Sequence, residues 1–261
     1  MKQLSIFKPD RLVCVLSYVG LPAATFYGFC MFILPWIQGS GDWTYVQDVW
    51  DRWQSVNVGM LALVSSITAL NISRFNAENQ RERDFLASKA FLPAALSELV
   101  IYFEASASLL KQGWKAEPGS KPGIELPPLP EEYKAVFGDC IRHASPDVGD
   151  YLSQILVWLQ VHDSRMRGYA SQGQENGHFS PQKHNLLNYF FRLGELQAMV
   201  NKLFDFARNM AKFDSSPLKW EDFHTAYANL DIWENEIEIT GGLGLEEYTK
   251  RNIGDSANQN R

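Results

Sequence analysis

Charge is missing from two long stretches of this chain. No Asp, Glu, Lys or Arg occurs between Arg11 and Asp42, and none between Arg52 and Arg74. Cysteine is scarce too: Cys14, Cys30 and Cys140 share no CxxC spacing, which leaves no basis for a thiol redox pair or a zinc knuckle. The sequence has no Gly-rich phosphate loop, no HExxH and no GxSxG, so the common signatures of nucleotide, zinc-protease and serine-hydrolase chemistry are absent. No internal repeat is detectable.

The uncharged stretches are themselves informative. Leu12–Ile37 reads LVCVLSYVGLPAATFYGFCMFILPWI, and residues 53–73 read WQSVNVGMLALVSSITALNIS. A bilayer core about 30 Å thick needs roughly 20 mostly apolar helical residues, and both runs meet that length. A cleaved signal peptide is the alternative for the first run. Signal h-regions are typically shorter and end at small residues, whereas this run ends in Pro35-Trp36-Ile37. Buried globular helices usually alternate polar and apolar faces, and neither run does.

Flanking charges set the expected orientation. Lys2, Lys8 and Arg11 precede the first run, and Arg74, Arg81, Arg83 and Lys89 follow the second. The segment between the runs carries Asp42, Asp48 and Asp51 against a single Arg52. Positive flanks stay in the cytoplasm, so both termini are expected there, in the cell inner membrane, with a short loop outside. Trp36, Trp43, Tyr45, Trp50 and Trp53 surround that loop and read as an interfacial aromatic belt.

Small residues recur along both runs. Gly20, Ala24 and Gly28 repeat every four residues in the first, and Gly59, Ala62, Ser66, Ala69 and Ser73 step by three and four in the second. Such stripes let helix backbones approach closely in lipid. They are the helix-packing candidates, either against each other or between protomers in a homo-oligomer. Ser65, Thr68 and Asn71 add mild polarity. The lack of intramembrane charge argues against a coupled transporter.

The remaining sequence reads as helical, giving an all-α chain: an N-terminal two-helix transmembrane hairpin followed by a cytoplasmic helical bundle. The expected divisions are 1–75 hairpin, 76–116 membrane-proximal helix, 117–130 proline-rich connector, 131–250 cytoplasmic helical domain and 251–261 disordered tail. The second run is expected to continue into the cytoplasm as one rod. Leu92, Leu96, Leu99, Val100, Phe103, Ala107 and Leu110 mark one face of a helix, restarted at Pro93 and ended by Gly113. A short helix is expected over 131–144. Ser145-Pro146 and Ser180-Pro181 read as helix starts, for helices ending near Ala170 and Phe213. The last helix should cover Trp220–Trp233, and NEIEIT (235–240) alternates as a short strand would.

Residues 74–261 carry the whole formal charge of −6, because four Lys/Arg and four Asp/Glu ahead of Arg74 cancel. An acidic domain is a poor generic partner for phosphate backbones, so direct nucleic-acid binding is not expected. His178 and His184 form at most a fragment of a metal site. His162, with Asp163 and Arg165, reads as a solvated polar turn, and Glu195 as a partly buried carboxylate. No catalytic, cofactor or metal residues are assigned, and no enzyme activity is expected.

The segment RERDFLASKAFLPAALSELVIYFE, Arg81–Glu104, following a two-helix hairpin, resembles bacterial two-transmembrane effector proteins of retron anti-phage defence systems. The resemblance covers under half the chain and includes no catalytic motif. It implies an inner-membrane effector held silent by a reverse transcriptase with its RNA–DNA product. Release would disrupt the membrane in abortive infection. The competing expectation is a non-enzymatic anchor or scaffold that recruits cytoplasmic partners to the bilayer.

Overall fold

The computed structural model describes residues 16–116, 126–175, 183–237 and 244–259. All regular structure among them is helical, with no strand, in agreement with the all-α expectation. The chain divides into two compact units, Met1–Gln80 and Arg81–Arg261.

In the first unit a wide π-type turn, Leu16–Gly20, leads into α1 (Leu21–Phe32), α2 (Leu34–Gln38), α3 (Trp43–Arg52) and the long α4 (Gln54–Lys89). Ser17–Gln38 and Gln54–Lys115 each contain a window long and apolar enough to cross a membrane, by length and composition. Pro35 explains the break between α1 and α2. It has no N–H, so the carbonyl of Met31, four residues earlier, loses its helical partner. The indole Nε1 of Trp50 donates to that carbonyl at 2.9 Å. One of the aromatics expected to form an interfacial belt therefore also repairs a proline break.

The connecting segment is a helix rather than a plain loop. Ser40 and Gly41 take left-handed backbone angles (φ 51° and 86°), and the Asp42 carboxylate caps α3 by accepting from the Thr44 N–H at 2.9 Å. Val46 is buried. The Trp43 ring lies 5.7 Å from Trp36 and 5.8 Å from Trp50, and Trp50 is 5.6 Å from Phe32.

In the second unit α4 ends at Lys89, and α5 (Leu92–Lys115) begins with Pro93 in its first turn, as expected. It is followed by α6 (Glu132–His143), α7 (Pro146–Glu175), α8 (Lys183–Ala207), α9 (Trp220–Asn229) and α10 (Leu245–Gln259). The central element is α8, which packs against α5, α7, α9 and α10. Leu193 through Val200 are buried without interruption, so every face of this stretch is covered. The inward residues of α7, Leu152, Ile155, Leu159 and Met166, are fully buried.

Several boundaries differ from the sequence reading. Gly113 does not end α5; it is buried within it, and its missing Cβ makes room for the Tyr169 side chain of α7. α7 continues past Ala170 to Glu175. α8 stops at Ala207, not near Phe213, because Asn209 turns left-handed at φ 59°. The Asn209 N–H donates to the Phe206 carbonyl at 3.1 Å and the Met210 N–H to the Asp205 carbonyl at 2.8 Å, the paired bonds of a Schellman cap. Phe213 instead packs 5.2 Å from Tyr151 and 5.5 Å from Phe206. The final expected helix ends at Asn229, where Asp231 takes a φ of 53°.

Part of the expected strand 235–240 is a 3₁₀ turn, Glu234–Glu236, and residues 238–240 lie outside the described residues. Ile237, within that segment, accepts a backbone hydrogen bond from the Leu245 N–H at 3.0 Å. α10 continues to Gln259 through the segment expected as a disordered tail from 251. Lys250 pairs with Glu246 at 2.6 Å, and Arg251 pairs with Glu247; such i,i+4 pairs support the helix. The connector lies outside the described residues over 117–125. Over 126–130 it has no regular structure, though Leu126 and Leu129 pack against the core.

Lys89, the last residue of α4, is only 7% exposed. Its Nζ donates to Asn209 Oδ1 at 2.8 Å and sits 3.7 Å above the Phe206 ring. The end of α4 is thereby fixed to the C-terminal cap of α8, where the helix dipole favours a cation. Burial lowers the Lys89 pKa from its usual value.

Candidate functional site

The small-residue candidates divide into two groups. On α4, Asn57, Met60, Val64, Ile67 and Asn71 follow a 3-4-3-4 rhythm, and Asn57, Ile67 and Asn71 meet the first apolar stretch. Tyr27 Oη donates to Asn57 Oδ1 at 2.8 Å, and Asn71 Nδ2 donates to Ser17 Oγ at 3.1 Å. Ile67 is 2% exposed. A Cβ placed on Gly20 would lie 3.0 Å from Ile67 Cδ1, so Gly20 works by admitting a large side chain. Ala24 and Gly28 are half-buried on the same stretch.

Gly59, Ala62, Ser66, Ala69 and Ser73 each fall two residues after a member of that inner set. Two residues turn a helix by about 200°, so this stripe points away from the first stretch. All five are exposed, and among the described residues nothing beyond its chain neighbours and its own helix backbone lies within 4 Å of where a Gly59 Cβ would sit. The two stripes therefore do not meet each other within the chain. The Ser66 hydroxyl donates to the Ala62 carbonyl at 2.7 Å and Thr68 to the Val64 carbonyl at 2.9 Å. These hydroxyls are satisfied inside their own helix, and the outward face is smooth, narrow and uncharged.

A second feature was not found from sequence. Between α7 and α8 lies a groove of about 350 Å³. Val157, Trp158, Val161, His162 and Arg165 line it from α7, and Tyr189, Arg192, Glu195 and Leu196 from α8. His162 corrects the expectation of a solvated turn: it is 3% exposed and edge-on to Tyr102 and Phe103, at 6.2 and 6.4 Å between ring centres. Burial holds its imidazole pKa down to about 4, with Asp163 opposing and Arg165 reinforcing the shift. The imidazole is neutral at pH 7, and its Nε2 has no hydrogen-bond partner among the described residues.

Glu195 is buried at 6% exposure, and its carboxylate accepts from Arg192 Nη1 at 2.6 Å. Burial raises its pKa, and the Arg192 charge pulls it back. The Arg192 guanidinium also lies 5.7 Å from the Trp158 ring centre. Beside it, Asp163 accepts from the Tyr102 hydroxyl at 2.8 Å and pairs with Arg167 at 2.9 Å. The groove thus combines apolar walls, two guanidinium groups and one buried carboxylate.

Among the described residues no three His, Cys, Asp or Glu side chains converge as a metal site. His178 lies outside the described residues, and the His184 ring sits 6.0 Å from Tyr248. Cys140 is a buried free thiol whose pKa burial pushes up to about 11, the reverse of what a nucleophilic cysteine requires. No known protein family, characterised protein or solved structure matches this chain.

Proposed function

We propose that the chain is a two-span effector of the bacterial inner membrane, with both termini cytoplasmic, that assembles through α4 and disrupts the bilayer when its inhibition is lifted. The observation that carries this reading is the outward stripe of Gly59, Ala62, Ser66, Ala69 and Ser73 on an uncharged apolar helix. In lipid, helices associate by close backbone approach at such small residues, and here the face lacks a partner within the chain among the described residues. A retron-type system, with a reverse transcriptase and its RNA–DNA product as the restraint, is the setting the resemblance of Arg81–Glu104 implies. In the alternative scaffold reading, the same spans only anchor partner-binding surfaces.

Expression without inhibitor distinguishes the two readings. The effector collapses membrane potential, read by a potential-sensitive dye in growing cells, and Ser66→Leu abolishes the collapse while leaving the protein in the membrane. Crosslinking in native membranes loses its higher-order species in Ser66→Leu and Gly59→Leu, because each leucine blocks contacts worth on the order of 1 kcal/mol. Persistent potential with abundant wild-type protein would favour the scaffold.

Topology gives a separate expected result. Alkaline phosphatase fused after Arg74 or at the C-terminus is inactive, and fluorescent protein at both positions is bright. Active phosphatase at either point overturns the two-span arrangement.

A further inference from the structure

The groove between α7 and α8 has a size, a charge and wall chemistry that together define a ligand, and this argument holds whether or not the membrane reading does. Its volume of about 350 Å³ falls within the range of roughly 300–1,000 Å³ typical of small-molecule clefts. Two turns of a peptide helix, about 10 Å across and 11 Å long, would need more than twice that space. The occupant is therefore a small molecule rather than an inserted helix.

Charge narrows the class. Arg165 is exposed at the rim and has no ion-pair partner among the described residues. Arg192 commits one N–H to Glu195, yet its side chain remains 45% exposed, and a guanidinium carries five N–H donors. The single carboxylate is already paired, and the neutral His162 adds no charge. The groove is locally cationic on a domain that carries the chain's net −6. Aromatic side chains stand on both walls, Trp158 from α7 and Tyr189 from α8. Val157 and Val161 are 57% and 45% exposed, so apolar surface is left uncovered beside the arginines.

We propose that this groove binds a small anionic ligand with a flat apolar body, its carboxylate or phosphate held by Arg165 and Arg192 and its ring system against Trp158, Tyr189 and Val161. A guanidinium fork matches two oxygens of a carboxylate or a phosphate. Trp158 lies beside both the ring site and Arg192, so it reports occupancy directly.

The test uses the full chain, labelled with 5-fluorotryptophan, in nanodiscs of zwitterionic phosphatidylcholine. Trp158→Phe identifies the Trp158 fluorine resonance among those of the eight tryptophans. Titration with 2-naphthoate shifts that resonance saturably. The neutral 2-naphthamide binds about tenfold more weakly, the loss expected for a charge-assisted contact. Octanoate, which keeps the charge but replaces the ring with an acyl chain of the kind lipids supply, also binds more weakly. Arg165→Ala reduces naphthoate affinity about tenfold without changing that of naphthamide. Val161→Trp fills the groove and removes both responses; both substitutions sit at exposed positions and leave the core intact. The proposal is overturned if the Trp158 resonance does not saturate, if Val161→Trp responds like wild type, or if Arg165→Ala leaves naphthoate affinity unchanged. Octanoate binding as tightly as naphthoate overturns the flat-ring assignment in favour of an acyl ligand.

Discussion

Replacing Gly194 with valine lowers stability by about 3 kcal/mol, through overpacking and a disturbed buried hydrogen bond. Gly194 lies in the stretch of α8 that is buried on every side. A Cβ built there would meet the Tyr227 ring of α9, 2.9 Å from Cζ and 3.1 Å from Cδ1, with Cε1 nearer still. That ring has little room to yield: Tyr227 is 0% exposed, and its hydroxyl is hydrogen-bonded to Thr249 Oγ1 at 2.8 Å. Valine adds two Cγ methyls beyond that Cβ in the same space. In a domain of this size, 3 kcal/mol corresponds to a drop in Tm of roughly 10 °C, read by circular dichroism of the full chain in detergent. Gly138 on α6 is the matched control, since among the described residues nothing beyond its chain neighbours and its own helix backbone lies within 4 Å of its Cβ position. Gly138→Ala should be neutral or stabilise by up to about 1 kcal/mol. Equal melting of the two variants would mean that α9 does not close on α8 at Gly194.

Gly194 and Gly113 mark the limit of reading this fold from sequence. A glycine after an apolar helical pattern signals a helix end, and Gly113 fits that local rule. Its actual role is set by Tyr169, which arrives from 56 positions later in the chain; nothing local announces such an approach. The helices themselves were legible because they rest on local signals: the three-and-four spacing from Leu92 to Leu110, Pro93 in a first turn and Ser145-Pro146 at the start of α7. The end of α8 was readable in part, because Asn at position 209 tolerates the left-handed angle of a C-cap. Met210 and Phe213, three and six residues after Ala207, continue the helical spacing and obscured it.

The candidate sites divide along the same line. The small-residue stripe of α4 could be read residue by residue, but not the direction it faces. That depends on Asn57 and Asn71 finding Tyr27 and Ser17 across the partner stretch. The groove needed two helices in register before it existed. His162 alone carried a usable signal: it continues the inward steps Leu152, Ile155, Leu159 and precedes Met166 and Tyr169 at the same spacing. Polar neighbours at 163 and 165 masked that rhythm.

That buried position makes His162 a source of acid sensitivity. Its folded pKa is about 4, below the ordinary 6.5, so the unfolded chain takes up a proton that the folded chain refuses. The contribution to stability is complete above pH 6.5 and is lost as pH falls from 6.5 toward 4. The difference amounts to about 3 kcal/mol at pH 4. Neighbouring groups do not all act in the same direction. Asp163, on the same helix, opposes the shift and Arg165 adds to it. Glu195, across the groove on α8, has a raised pKa. It therefore gains stability in acid that it loses as pH rises, and it offsets part of the His162 effect at the acid end. His162→Gln keeps a polar side chain of similar size and removes the titration. Urea unfolding of wild type and His162→Gln, followed by helical circular dichroism at pH 7.5 and pH 4, should give a gap that narrows by about 3 kcal/mol on acidification. Parallel pH profiles would mean that the imidazole titrates near its ordinary value and is hydrated. The packing of Tyr102 and Phe103 over it would then have to open to admit water.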